Sequence, residues 1–235
     1  MLYLCSMKPT DERFLRNYDL HLLKSCTFAG AFQMPEAERY HGELPAGLEP
    51  FHKAVSRKNA PVRTGRHLKT PGRRFVHFFL DDCLFERLWN APERYLTTLS
   101  AYAGVLSPDF SLYRDMPTAM QLWNTYRNRV LTCWMQQQGL PVIPTVSWSD
   151  SSSYAFCFDG LPRHGTFALS TVGTQQKRDA RRLFRDGFCQ FIERCQPDTL
   201  VVYGEPLRLI SEMQPPLQVF YYPNDNLQRL RQYGR

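Results

Sequence analysis

Short apolar runs of strand length recur along the chain, each bounded by turn-forming or polar residues. The clearest covers 74–80 (RFVHFFL), which follows Pro71 and Gly72 and precedes two aspartates. Such runs, rich in aromatic and β-branched residues, are typical of buried strands. Others lie at 104–106, 142–148, 167–172, 200–203 and 217–222, with a weaker one near 27–32. The pattern predicts six or seven strands.

Helical periodicity separates several of these runs. Apolar residues recur at three- and four-residue spacing from Arg178 to Cys195, and Pro197 follows them, which predicts an amphipathic helix over 178–195. A second helix is predicted from 117 to 138, with Asp115 or Met116 as its cap and Gly139 as its stop. Its predicted apolar stripe comprises Ala119, Leu122, Trp123, Tyr126, Val130 and Trp134.

Alternation of strands and helices predicts an α/β fold, because parallel neighbours need a crossover connection that a helix supplies. We expect parallel strand–helix repeats in an incomplete or irregular (β/α) barrel, with an open doubly wound sheet as the alternative. The 235 residues are interpreted as one domain spanning 1–235.

The composition, with 43% hydrophobic and 22% charged residues, is that of a globular protein. No apolar run approaches the roughly 18 residues that a membrane helix needs, so we expect a cytoplasmic protein with no membrane contact. Seven cysteines show no C-x-x-C pair and no Cys/His cluster, which predicts free, mostly buried thiols rather than zinc or disulfides.

Positive charge is concentrated between residues 51 and 74, which contain no acidic residue and several turn formers. We therefore predict a basic loop at 51–74 that grips phosphate without reading bases, because no aromatic residue lies between His52 and Arg74 to stack on them. A solvated surface loop is the alternative. The candidate nucleic-acid-binding residues are Lys53, Arg57, Lys58, Arg63, Arg66 and Lys69.

Polar residues follow most of the predicted strands, and in both architectures ligands bind where strands end. The candidate catalytic residues are Asp81, Asp82, Asp109, Asp150 and Glu205. Carboxylates gathered from several strands can shift one another's pKa for acid–base chemistry, or hold a divalent cation. The alternative for each is a helix cap. Asp81 and Asp82 are adjacent, so one of them is spare even if the other caps a helix.

The candidate substrate-binding residues at the same strand ends are Ser111, Trp148, Ser170, Thr171 and Tyr203. Aromatic side chains there can stack on a sugar or base, although core packing is their commoner role. Arg127 and Arg129, on the long helix, can reach an anion, but a solvated helix face is the expectation for both.

Several familiar motifs are missing from the sequence. It contains no G-x-G-x-x-G, no G-x-x-x-x-G-K-[ST], no G-x-S-x-G and no H-E-x-x-H. Dinucleotide oxidoreductases, P-loop ATPases, elbow-type serine hydrolases and zincin proteases are therefore poorly supported.

Six blocks occur in order along the chain: FLDDCLFERLW (79–89), LSPDFSLY (106–113), WNTYRNR (123–129), IPTVSWSD (143–150), FCFDGLP (156–162) and STVG (170–173). In these blocks the chain resembles a family catalogued as a domain of unknown function, found in phages, plasmids and integrative elements. The resemblance covers the central and C-terminal two-thirds and implies mobile-element ancestry without an established chemistry.

Two functions remain open from the sequence. The first is an enzyme that acts on a nucleotide or nucleic acid through the carboxylates at the strand ends. The second is a non-catalytic adaptor that binds a host or element protein through the same rim. The sequence leaves the cofactor and the oligomeric state undetermined.

Overall fold

Strands and helices alternate in the computed structural model, which describes residue 16 and residues 19–59, 72–174, 177–206, 208–213 and 217–224. The strands are β1 (Phe28–Ala29), β2 (Met34–Pro35), β3 (Gly47–Pro50), β4 (Arg74–His77), β5 (Gly104–Leu106), β6 (Val142–Ile143), β7 (Thr166–Ser170), β8 (Thr199–Tyr203) and β9 (Gln218–Tyr222). The helices are α1 (Phe51–Asn59), α2 (Glu86–Asn90), α3 (Glu93–Leu99), α4 (Thr118–Gln137), α5 (Arg178–Cys195) and α6 (Arg208–Met213).

Two parallel sheets follow the order of the chain. One has the order β3-β4-β5-β6 and the other β7-β8-β9, while β1 and β2 form a separate antiparallel pair. A parallel bridge between Thr145 and Ala168 joins the two parallel sheets. Among the described residues no ladder joins β9 to β3, so the barrel is not closed. The predicted parallel strand–helix architecture of incomplete, irregular form is confirmed.

The inner faces of both sheets share one apolar cluster. The ring of His77 on β4 lies 4.5 Å from the ring of Tyr203 on β8, between centroids, so strands of different sheets face each other. The buried members of this cluster are Tyr40, Leu48, Phe75, Leu106, Ile143, Ala168, Val201 and Tyr203. Because the sheets curl around this interior, the carboxyl ends of neighbouring strands converge.

Helix α5 has the bounds that its periodicity predicts. Phe184, Phe188 and Phe191 are buried at helical spacing against the second sheet. The helix ends where Gln196 adopts a left-handed conformation (φ 48°) just before Pro197. Burial of each such side chain contributes about 1.5–3 kcal/mol, which holds α5 beside the end of β7.

Helix α4 departs from its predicted apolar stripe. Trp123 is 47% exposed, whereas Arg127 and Arg129 are only 7% and 3% exposed. The prediction of a solvated position for these two arginines is therefore wrong. They are buried because their guanidinium groups find partners inside the protein: Glu86 and Asn124 for Arg127, and the backbone oxygens of Cys157 and Asp159 for Arg129.

Two other expectations are corrected, and one strand was missed. The predicted strand near 27–32 is a hairpin of β1 and β2, and β3 was missed because its four residues include Glu49 and Pro50. The prediction of free thiols is wrong for Cys26 and Cys133, which form a disulfide across 107 residues of sequence. The sequence does not indicate this disulfide, because Cys26 and Cys133 come together only through the packing of α4 beside the segment that precedes β1.

Candidate active site

A pocket of about 600 Å³ opens where β4, β5, β6 and β7 end, and its wall is completed by α5. This is the position where parallel α/β folds bind ligands. Five of the residues predicted from the sequence line it: Asp81, Asp109, Ser111, Trp148 and Ser170. The curled sheets thus bring together residues up to 89 positions apart, from Asp81 to Ser170.

Asp109 has the most strongly shifted carboxyl group in the pocket. Its Oδ1 atom is buried and accepts no hydrogen bond within the described part of the chain. Burial raises the pKa of Asp109 from 3.8 to about 7; the charge of Asp82 adds to this, and a hydrogen bond from Ser147 opposes it. A carboxyl group with this pKa is present in both protonation states near neutral pH, so it can donate or accept a proton.

Neither Asp81 nor Asp82 caps a helix with its side chain. Asp82 lies in the 3₁₀ turn Asp82–Leu84, and its Oδ1 accepts hydrogen bonds from the hydroxyl (2.8 Å) and the backbone N–H (3.2 Å) of Ser111. Burial raises the pKa of Asp82, while the bonds from Ser111 oppose the rise. Asp81 precedes the turn, but its side chain makes no capping bond and is exposed in the pocket wall.

The loop that carries Asp109 is held by amides of α4. The side-chain amide of Asn124 donates to the backbone oxygen of Ser111 at 2.7 Å, and that of Asn128 donates to the backbone oxygen of Pro108. Both bonds are buried or half-buried, so each also satisfies a backbone carbonyl that would otherwise be costly to bury. The backbone is therefore anchored both before Asp109, at Pro108, and after it, at Ser111.

Arg127 also supports the loop that carries Asp109. Its guanidinium carbon lies 3.9 Å from the centroid of the Phe110 ring, within the range of a cation–π contact. The same group donates to both carboxylate oxygens of Glu86, at 2.6 and 2.9 Å, and to Asn124 Oδ1 at 2.6 Å. A buried cation with these partners orients the asparagine that holds Ser111.

The apolar wall of the pocket is built from Trp148 and α5. The indole N–H of Trp148 donates to the backbone oxygen of Leu183 at 3.2 Å, and its ring packs against Phe184. Gly187, one turn further along α5, leaves room for this ring, since a Cβ there would overlap it. The pocket therefore combines an aromatic surface held by α5 with carboxyl groups that follow β4 and β5.

The remaining predicted residues lie outside the pocket wall. Asp150 caps the 3₁₀ helix Ser151–Ala155 by accepting from the backbone N–H of Ser152 at 3.0 Å. Thr171 is buried and donates to the backbone oxygen of Glu205, whose own side chain is exposed. Tyr203 stacks on Phe79, whose ring lines the pocket. Functional roles for these four residues stay predictions.

Part of the predicted basic loop is helical. Residues 51–59 form α1, so Lys53, Arg57 and Lys58 lie on a helix. Arg63, Arg66 and Lys69 lie outside the described residues. At the end of the segment the positive charge is compensated, because Arg73 pairs with Glu43 at 2.8 Å and Arg74 with Glu49 at 3.2 Å.

Sequence reasoning missed Asn124, Asn128 and Ser147. In the predicted helix 117–138, polar residues at positions 121, 124, 125 and 128 share three- and four-residue spacing, which is the signal that would have indicated a buried polar face. Among the described residues, no group of three or more His, Cys, Asp or Glu side chains is arranged to hold a metal ion.

The structure defines an α/β protein with a ligand-sized pocket at the ends of its parallel strands. The chain belongs to the DUF4417 family, described as a domain of unknown function, which matches residues 30–234. The resemblance found in the sequence blocks is confirmed, and the match extends further than those blocks because it also spans the basic segment.

Two phage proteins are among its relatives. The chain is 43% identical over 204 residues to the Gene 1 protein of Mycobacterium phage L5, covering 87% of this chain and 84% of that protein. It is 37% identical over 204 residues to the Gene 1 protein of Mycobacterium phage D29, covering 87% and 71%. No solved structure matches the chain. Within the described residues, no helix has the length and apolar character to cross a membrane.

Proposed function

We propose that the chain is an enzyme that acts on the nucleoside part of a nucleotide or nucleic acid, with Asp109 transferring a proton to or from the ligand. The observation that carries this proposal is the carboxyl group of Asp109, which borders the pocket, has its pKa raised by burial to about 7, and has one buried oxygen with no hydrogen bond to any described residue. Perturbed carboxyl groups in pockets are characteristic of acid–base catalysis.

The chemistry of the pocket wall supports a nucleoside. Its apolar surface includes the aromatic side chains of Trp148 and Phe184, and an aromatic ring suits the face of a base. Asp81 and Asp109 present carboxylate oxygens, which accept hydrogen bonds from the N–H groups of a base or the hydroxyl groups of a sugar.

The charge of the wall indicates which end of a nucleotide enters. Three carboxyl groups (Asp81, Asp109 and Asp115) face one guanidinium group (Arg114), which also lies 3.9 Å from Asp150. A phosphate inside this wall would meet net negative charge, so the phosphate group stays at the mouth while the nucleoside occupies the interior.

The test is a screen of the purified protein against nucleosides, nucleotides and single-stranded oligonucleotides, with and without Mg²⁺ and Mn²⁺. Thermal shift reports binding and chromatography reports turnover. Asp109→Asn should bind the ligand and lose turnover by a factor of about 100 or more, the usual contribution of general acid–base catalysis. Asp186→Asn, on the exposed surface of α5, is the matched control and should keep full activity.

An adaptor is the second candidate, and one observation favours it. Met120 and Trp123 are 51% and 47% exposed about one turn apart on α4, and exposed apolar side chains of this size are typical of protein interfaces. Absence of turnover and of any ligand-induced stabilisation across the screen would favour the adaptor. Loss of turnover in Asp109→Asn with binding retained would exclude it as the sole function.

A further inference from the structure

Ser111 lines the pocket with a hydroxyl group whose direction is fixed by Asp82. The hydroxyl donates to Asp82 Oδ1 at 2.8 Å, and the backbone N–H of Ser111 lies 3.2 Å from both oxygens of the same carboxylate. An ionised carboxylate only accepts hydrogen bonds, so the hydroxyl proton points toward Asp82 rather than toward a ligand. The lone pairs that remain on Ser111 Oγ can only accept a bond from a ligand.

Ser149, which also lines the pocket, is held in the same way from helix α4. Its hydroxyl donates to Gln121 Oε1 at 2.6 Å. The amide nitrogen of Gln121 donates to the backbone oxygen of Met116 at 3.0 Å, which sets the orientation of the amide. Ser149 Oγ therefore also offers a ligand lone pairs and no proton.

Two further donors of the wall are occupied within the protein. The hydroxyl of Ser147 donates to the carboxyl group of Asp109, and the indole N–H of Trp148 donates to the backbone oxygen of Leu183 at 3.2 Å. Asp109 Oδ1 accepts no hydrogen bond from the described residues, so it is a further acceptor for a ligand. The wall around Asp109 thus combines acceptor oxygens with an aromatic ring.

Other side-chain donors in the described wall are fewer or lie at its exposed edge. Tyr113 and Arg114 are both exposed. The hydroxyl of Thr174 donates to the backbone oxygen of Thr171 at 2.8 Å. Ser170 accepts from a backbone N–H at 3.2 Å and keeps its own proton. A ligand in the interior of the pocket therefore meets many acceptors and few donors.

We propose that the pocket selects a nucleobase that carries an exocyclic amino group. This inference rests on the proposed function, in which the pocket holds the nucleoside part of the ligand. An amino group offers two protons to the surrounding acceptors, and the ring that carries it suits the aromatic surface of Trp148. An oxo group in the same position has only lone pairs, which would face the lone pairs of Ser111, Ser149 and Asp109 and leave all of them without a partner.

The test compares neutral nucleosides that differ by this exchange of amino for oxo, namely cytidine with uridine and adenosine with inosine. Isothermal titration calorimetry of the full chain at pH 8.5, above the pKa of about 7 of Asp109, gives the Kd of each. In each pair that binds, the amino member should bind tighter by about tenfold or more, because the oxo member leaves buried polar groups unpaired. 2′-Deoxycytidine should bind as tightly as cytidine if the recognised donor is on the base.

Two variants test the cause of the preference. In Asp82→Asn the new amide nitrogen can donate to Ser111 Oγ, which frees the hydroxyl proton for a ligand, so the preference should fall by about fivefold or more, the usual worth of one hydrogen bond. Ser111→Ala should weaken the amino nucleoside and leave its oxo partner unchanged, and it carries the test if Asp82→Asn does not fold. Asp186→Asn removes the same charge from the exposed surface of α5 and should keep the parental preference.

The possible outcomes separate this inference from the proposed function. Equal affinities within both pairs, or tighter binding of the oxo members, would overturn the amino preference, while the proposed function stands if Asp109→Asn binds and loses turnover. The preference is also overturned if loss of the 2′-hydroxyl weakens binding and the exchange of amino for oxo does not. An unchanged preference in both variants would overturn the role of Ser111. If none of the four ribonucleosides binds, the amino preference fails together with the placement of a nucleoside in the pocket.

Discussion

The side-chain amide of Asn124 reaches the backbone oxygen of Ser111 at 2.7 Å and so ties the middle of α4 to the loop that carries Asp109. Replacing Asn124 with Ala removes this bond and also leaves the Arg127 guanidinium without its acceptor on α4. We expect a loss of about 1–3 kcal/mol in the free energy of unfolding, the cost of unsatisfied buried polar groups. Urea denaturation measures it.

Asn90→Ala is the control for that substitution. Asn90 is exposed at the end of α2, so the same change in side chain should alter stability by no more than about 0.5 kcal/mol. Equal effects at the two positions would show that the bond between Asn124 and Ser111 contributes nothing specific.

Asp109 should make stability depend on pH. Its pKa is raised by burial from 3.8 to about 7 in the folded protein, so the folded state holds the proton more tightly than the unfolded state. The free energy of unfolding contributed by this group is therefore greatest below pH 4, falls as pH rises toward 7, and is constant above that. Asp109→Asn, which does not titrate, should lack this component.

The measurement is urea denaturation of both proteins between pH 4 and pH 9. The stability of the wild-type protein relative to Asp109→Asn should decline across that range and level off above pH 7 or so. A constant difference between the two curves would contradict the raised pKa of Asp109.

Gly187→Ala should destabilise the protein, although the same change in most helices stabilises it by about 1 kcal/mol. The added methyl group would overlap the indole ring of Trp148, and overpacking of this kind costs about 1–3 kcal/mol. The substitution should also weaken any ligand that stacks on Trp148. Thermal denaturation gives the sign of the effect.

A double-mutant cycle separates the two contributions to that effect. In a Trp148→Ala background the overlap is gone, so Gly187→Ala should become stabilising by up to about 1 kcal/mol. If Gly187→Ala has the same effect in both backgrounds, the ring of Trp148 does not pack on Gly187.

Asp150→Ala should cost about 1 kcal/mol, because Asp150 caps the turn at Ser151–Ala155 through the backbone N–H of Ser152. Asp150→Asn should keep most of the stability, since the amide oxygen can accept the same bond. The hydrogen bonds from Ser152 also lower the pKa of Asp150, so the cost of Asp150→Ala should shrink as pH falls and the folded-state carboxylate becomes protonated. A large loss of turnover in Asp150→Asn would show a catalytic role instead.

Much of the fold was predictable because the apolar pattern and the buried structure coincide. The periodicity of Phe184, Phe188 and Phe191 gives α5 its bounds, and runs such as 104–106 become buried strands. Strand β3 was not predictable, since Glu49 is buried there as the partner of Arg74, which lies 25 residues further along the chain.

The residues that line the pocket were predictable from the sequence, but the residues that hold them in place were not. Asp81 and Asp109 follow strands, so topology alone places them near one another. Asn124 and Arg127 look like surface residues in sequence, and only the packing of α4 against the 107–115 loop shows why they are buried. A buried polar contact depends on both partners, and the sequence around one of them does not specify the other.

The bridge between Thr145 and Ala168 joins the two parallel sheets next to the pocket. In the described structure the two parallel sheets are joined there by backbone bonds of 2.9 Å from Ala168 to Pro144 and from Val146 to Ala168, whereas β7 and β8 pair along five residues. Val146 and Leu169, one on each side of this seam, both line the pocket. A ligand that contacts both residues would therefore connect the two parallel sheets at this seam, in addition to the backbone bonds that already join them.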